Sequence, residues 1–127
     1  MADNLTNTAE NKMLDALVGT ASYSANTPIK LALVTANGSD ATAGTEVSGG
    51  SYARQNITFG AASGGSISND AVETFTGMPT CTVVGIELWD SAGTPERLAY
   101  GSLTTSKSLT SGDTLEFSIG SITLSLS

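Results

Sequence analysis

The C-terminal run DTLEFSIGSITLSLS sets the tightest limit on what this chain can fold into. Leu115, Phe117 and Ile119, then Ile122, Leu124 and Leu126, recur at alternate positions. That period places them on one face of a strand and scatters them around a helix. The same signature runs backwards through the chain. PIKLALVT sets Ile29, Leu31 and Leu33 against Lys30, Ala32 and Val34. SYARQNITF places Ala53, Gln55, Ile57 and Phe59 on one side, and AVETFTG and ERLAYGSL are further short runs. TCTVVGIELWD is apolar on both faces and reads as the most buried of them. Between the runs lie ANGSDATAGT, GAASGGSISND, DSAGTPE and TSGD, rich in the residues that turn a chain. Short strands at intervals of about 8 to 12 residues predict an all-β single domain. The expected architecture is a β-sandwich or small barrel of about seven to nine antiparallel strands.

Only the beginning departs from this pattern. Met13, Leu14, Leu17 and Val18 recur at helical spacing, Asn7 and Glu10 stand as a capping box, and Gly19 is placed to stop the helix. Three turns are too few to be stable alone, so the apolar stripe is expected on the sheet or on a neighbouring subunit. The expected organisation is one domain over residues 1–127, with an arm and helix in 1–20 and the β body in 28–127.

Charge and hydroxyl content narrow the function. Charged residues make up 13% of the chain, about half the usual share, while 17 serines and 18 threonines fill their place. The net charge is −7 and the five cations, Lys12, Lys30, Arg54, Arg97 and Lys107, are scattered. Such a surface repels nucleic acid. No run approaches the length of a membrane span, and MADNLTNTAENK lacks the basic and apolar regions of a secretory signal. A single cysteine, Cys81, makes no internal disulfide; it reads as a small core residue.

Candidate chemistry is sparse. The chain has no histidine, which removes the usual general base, metal ligand and nucleophile partner. Neither a cofactor nor a metal site is expected. Asn37, Asp40 and Glu46 are a weak oxygen set for calcium without an alternating ligand pattern. Glu73, Glu87 and Glu116 are the carboxylates from which a glycosidase pair would have to come, but alternation makes them the solvent-facing neighbours of Val72, Leu88 and Leu115. EVSGGSYARQ looks at first like a phosphate loop, yet it leads into a strand rather than a helix. Gly49 and Gly50 are therefore expected at positive φ in a hairpin corner. Arg54 is free to face solvent, a carboxylate such as Glu46 in its own chain, or the next subunit, and an ion pair at or near a subunit boundary is expected. Tyr52, Arg54 and Trp89, with Leu14 and Leu17 on the helix, are the candidate subunit or partner contacts, since aromatic residues and arginine anchor interfaces.

The segments NLTNTAENKMLDALVG, PIKLALVTA, EVSGGSYARQNITFGAAS, FTGMPTCTVVGIELWDSAG and LAYGSLTTSKSLTSGDTLEFSIGSITLSLS together resemble a group of small tailed-bacteriophage virion proteins. Members are labelled tail-fibre-like or minor structural proteins, and some decorate the head. The resemblance implies a virion component without catalytic residues, assembled in the bacterial cytoplasm as a symmetric oligomer, with a trimer favoured. Its partners would be the major capsid protein or tail proteins. A capsid decoration role is the first expectation, because the chain is small and lacks a fibre's long shaft. A tail-fibre-associated protein that contacts the host surface through Trp89, Tyr52, Tyr23 and Tyr100 is the alternative.

Overall fold

A computed structural model describes residues 5–126 of the chain. It is mostly β, with nine antiparallel strands in small sheets and one N-terminal helix. The helix, α1, spans Asn7–Leu17. The strands are β1 (Ile29–Ala36), β2 (Thr45–Glu46), β3 (Gln55–Ile57), β4 (Ser66–Ser68), β5 (Glu73–Met78), β6 (Cys81–Trp89), β7 (Arg97–Leu109), β8 (Asp113–Phe117) and β9 (Thr123–Ser125).

The main sheet runs β2–β1–β6–β7, and β3 also pairs with β1. The register shows where β3 sits. Lys30 and Leu31 pair with β6 on one side and β3 on the other, and Val34 pairs with both β6 and β2. β2 and β3 therefore lie end to end along the same flank of β1. Residues 47–54 loop out between them, so EVSGGSYARQ is an excursion from an interrupted strand and not the hairpin corner expected. Gly49 and Gly50 do take positive φ, 104° and 56°. At Gly50 the glycine is also required by space, because a Cβ would stand 2.6 Å from the Gly77 carbonyl oxygen.

Two smaller pairs, β5–β8 and β4–β9, complete the fold. Leu31, Leu33, Ile86, Leu88 and Ala99 project from one face of the main sheet and cluster with Phe75 and Met78 of β5 and Leu115 of β8. Phe75, only 1% exposed, stacks on Tyr52 at 6.0 Å between ring centres and meets Phe117 edge-on at 6.2 Å. The C-terminal alternation holds in two separate pieces. β8 pairs with β5 and β9 with β4, and the turn between them leaves Ile119 exposed, off the face it was expected to share.

The helix begins one residue earlier than the Asn7–Glu10 pattern suggested. Thr6 is its cap: the Oγ1 accepts from the Ala9 N–H at 3.2 Å and donates to the Arg97 carbonyl at 2.9 Å. One hydroxyl thus caps the helix and ties it to β7. Gly19, with φ 80°, follows the helix end as expected. Only Ala9 of the helix is buried. Leu14, Leu17 and Val18 are 60%, 81% and 73% exposed, and Met13 is exposed beside them; the stripe does not lie on the sheet.

Two carboxylates expected in solvent are inside. Glu73 shares the inward face of β5 with Phe75, while Val72 is exposed. Burial, with Asp70 nearby, raises the Glu73 carboxyl above its ordinary 4.5. Its charge therefore opposes folding at neutral pH and ceases to do so as pH falls through the raised value. Glu73→Gln is expected to raise the melting temperature at pH 7, by an amount that disappears below about pH 4.5. Thermal scans across pH check this; equal shifts at pH 7 and pH 4 would count against it. Glu87 is the second buried carboxylate, and Glu116 alone is exposed as expected.

Candidate functional site

The outer face of the main sheet carries most of the chain's charge chemistry. Ala32 and Val34 of β1 and Gly85 and Glu87 of β6 are all buried there, because residues 37–44 fold back over them. The Gly44 N–H donates to Glu87 Oε2 at 2.8 Å, and a Cβ on Gly85 would collide with Asn37 Oδ1 at 2.0 Å. Under this loop Arg97 Nη1 donates to Glu87 Oε2 at 3.3 Å. The pair is nearly dry, its side chains 7% and 2% exposed. Arg97 also donates to the Ser39 carbonyl, pinning the loop from below, and its guanidinium lies 5.0 Å from the ring centre of Tyr100. The Tyr100 hydroxyl donates to Asp40, which holds the phenol above its ordinary pKa.

A second ion pair continues this layer. Arg54 clasps Glu46 with two bonds, Nε to Oε2 at 2.9 Å and Nη2 to Oε1 at 2.8 Å, the bidentate geometry that makes such pairs strong. The Arg54 guanidinium lies 4.3 Å from the ring centre of Trp89, and Trp89 Nε1 donates to Glu87 Oε1 at 3.3 Å. Tyr52, Glu46, Arg54, Trp89, Glu87, Arg97, Tyr100 and Asp40 thus form one continuous chain of contacts.

Tyr52 has the most specific place in it. Where residues 47–54 leave the flank of β1, Leu33 loses half of its ladder. Its carbonyl accepts from the Val47 N–H at 2.9 Å, and its N–H donates to the Tyr52 hydroxyl at 3.0 Å. That hydroxyl donates in turn to Glu46 Oε2 at 2.7 Å. A side chain therefore substitutes for the missing strand. Burial first, then the bond to Glu46, push the phenol well above its ordinary pKa, so it remains a donor. Burial also pushes the Glu46 carboxyl upward, but the bonds from Arg54 and Tyr52 outweigh it and hold the carboxyl below 4.5. Tyr52→Phe leaves the buried Leu33 N–H without its partner, and is expected to cost about 1–3 kcal/mol. Urea denaturation measures it; a loss under about 0.5 kcal/mol would mean water replaces the hydroxyl.

The five anticipated contact residues thus divide. Tyr52, Arg54 and Trp89 come together and are occupied by one another, whereas Leu14 and Leu17 stand apart on α1. Of the environments open to Arg54, it takes the carboxylate of its own chain, Glu46. Asn37, Asp40 and Glu46 do not converge: Asn37 Nδ2 donates to Ser102 Oγ at 3.0 Å, and the two carboxylates serve Tyr100 and Arg54. No group of three or more potential metal-binding side chains occurs among the described residues. Glu73 and Glu87 lie in different layers and do not flank a common groove. The Arg97–Glu87 pair was missed, since Glu87 was expected in solvent and Arg97 counted only as a scattered cation; the one signal was a cation opening β7 ahead of a short apolar run.

The polar groups of this layer are consumed in holding loops, and an apolar helix face is left over. Over residues 4–125 the chain matches the family described as Podophage GP4 fiber I protein gp80, and it belongs to that family. It is a phage fibre structural protein and hence a component of the virion. A search of curated proteins returned no match. The family description speaks for the fibre alternative over the capsid decoration role expected first.

Proposed function

We propose that the protein is a non-enzymatic subunit of the tail-fibre assembly, acting as one unit over residues 1–127. It joins other copies and neighbouring fibre or tail proteins, with a homotrimer as the favoured state. The observation that carries this reading is the exposed stripe of Met13, Leu14, Leu17 and Val18 on α1. Three large apolar side chains on one face of an 11-residue helix, continued by Val18 at its C-cap, are too many to leave in water without a use. The aromatic residues suit host contact less well, because Trp89 is capped by Arg54 and Tyr52 is held by Glu46 and Phe75.

Immunogold labelling of virions, with copy number from quantitative mass spectrometry, tests the assignment. Label at the tail with few copies per particle is expected. Label over the head with hundreds of copies would overturn it in favour of capsid decoration.

A further inference from the structure

β7 and β8 follow one another through a short turn, yet they do not pair. β7 pairs with β6 and β8 with β5. Between Val83 and Gly85 the register of β7 jumps from Lys107 to Ser102, so residues 103–106 bulge out of the ladder. The consequence is a cleft of about 310 Å³, walled by β7 on one side and by β8 and the following turn on the other. Its apolar lining is Ile86, Leu103, Leu115, Phe117 and Ile122. Threonines form part of the rim, with Lys107 on the β7 wall and Glu116 on the β8 wall.

We propose that this cleft receives the apolar ridge of α1 from a second copy of the chain. The inference rests on the assembling-subunit reading above and names the surfaces that assemble. Size supports it: the cleft is about twice the roughly 150 Å³ apolar cavity that admits one benzene, which suits the side chains of Leu14 and Leu17. Charge supports it independently. Glu10 lies on the same helical stripe, three and four residues before Met13 and Leu14. Lys107 is exposed and belongs to none of the three ion pairs found among the described residues. Glu10 of one copy facing Lys107 of the next supplies a partner for each. Ridge and cleft are different surfaces, so the contact is heterologous: it closes into a ring if the rotation permits and otherwise propagates.

Size-exclusion chromatography with light scattering on the purified full chain tests this. Wild type is expected to associate with rising concentration. Leu17→Asp, which spoils the ridge, and Thr104→Trp, which fills the cleft mouth from an exposed position, are each expected to weaken association roughly tenfold or more. An equimolar mixture of the two retains one sound ridge and one sound cleft, and is expected to give a 1:1 dimer. Lys107→Glu is expected to weaken association, and Glu10→Lys in the same chain to restore it; both positions are exposed, so folding is not at risk. A Thr104→Trp variant that assembles like wild type, a mixture that stays monomeric, or a wild type monomeric at every concentration would overturn the proposal. Virion labelling separates this from the fibre assignment. Head label with a successful mixture defeats only the fibre reading, and tail label with a failed mixture defeats only the ridge and cleft.

Discussion

Arg97→Ala is expected to destabilise the protein by about 3–5 kcal/mol, the cost of leaving a buried carboxylate without its cation. For a chain of this size that lowers the melting temperature by roughly 10–20 °C. The magnitude follows from the dryness of the site: Glu87 is 1% exposed, and Arg97 is the one cation in direct contact with it among the described residues. Arg97 also holds the Ser39 carbonyl, so its loss loosens the loop that keeps water out. Replacing both partners with methionine is expected to cost less than Arg97→Ala, since no orphan charge remains. Recovery should be partial, because Glu87 also serves the Gly44 N–H and Trp89 Nε1. Chemical denaturation of the three proteins decides the matter. A single variant within about 1 kcal/mol of wild type would show that water reaches Glu87 once Arg97 is gone.

The second large effect is expected at Phe75. Phe75→Ala should cost about 3–5 kcal/mol through lost burial and the cavity left behind, and Phe75→Leu much less. The distinguishing readout is at a distance. Phe75 stacks on Tyr52, Tyr52 holds Glu46, Glu46 holds Arg54, and Arg54 covers the ring of Trp89. Trp89 is the one tryptophan of the chain, so its fluorescence reports the state of the network. In Phe75→Ala the emission is expected to shift towards that of a wetter indole before global unfolding. An unchanged spectrum would show that the core and the outer layer are uncoupled.

The strands were legible where a run had one buried face. β5, β8 and β9 fall within runs identified from alternation, and the helix differs only in its cap. What failed was the inference from alternation to exposure. Glu87 alternates with Leu88, which predicts solvent only if the second face of the sheet is bare. That face is covered by residues 37–44, a loop whose path no local pattern encodes. Ala32, Val34 and Gly85 carried the hint, because a strand apolar or small on both faces announces a cover. Glu73 failed differently, since Val72 lies just outside β5 and fixes no face of it. The pairing of β4 with β9, across some sixty residues, rests on a topology that periodicity cannot express. At the site, residue types singled out Tyr52 and Arg54 in EVSGGSYARQ and, separately, Trp89, but as contacts for a partner. Their use on one another depends on Leu33, which has no unusual feature in the sequence.

Both flanks of the main sheet are broken up, and this bears on how such a protein survives before it is built into a particle. On one side the outermost strand is reduced to stubs of two and three residues by the 47–54 excursion. On the other, Leu5 and Thr6 cover β7 near Ala99, and the bulge at 103–106 spoils the remainder. A long straight flank would template edge-to-edge polymerisation with any copy it met. Interrupting both flanks denies that route to aggregates, and leaves side-chain surfaces rather than backbone to govern which copies join.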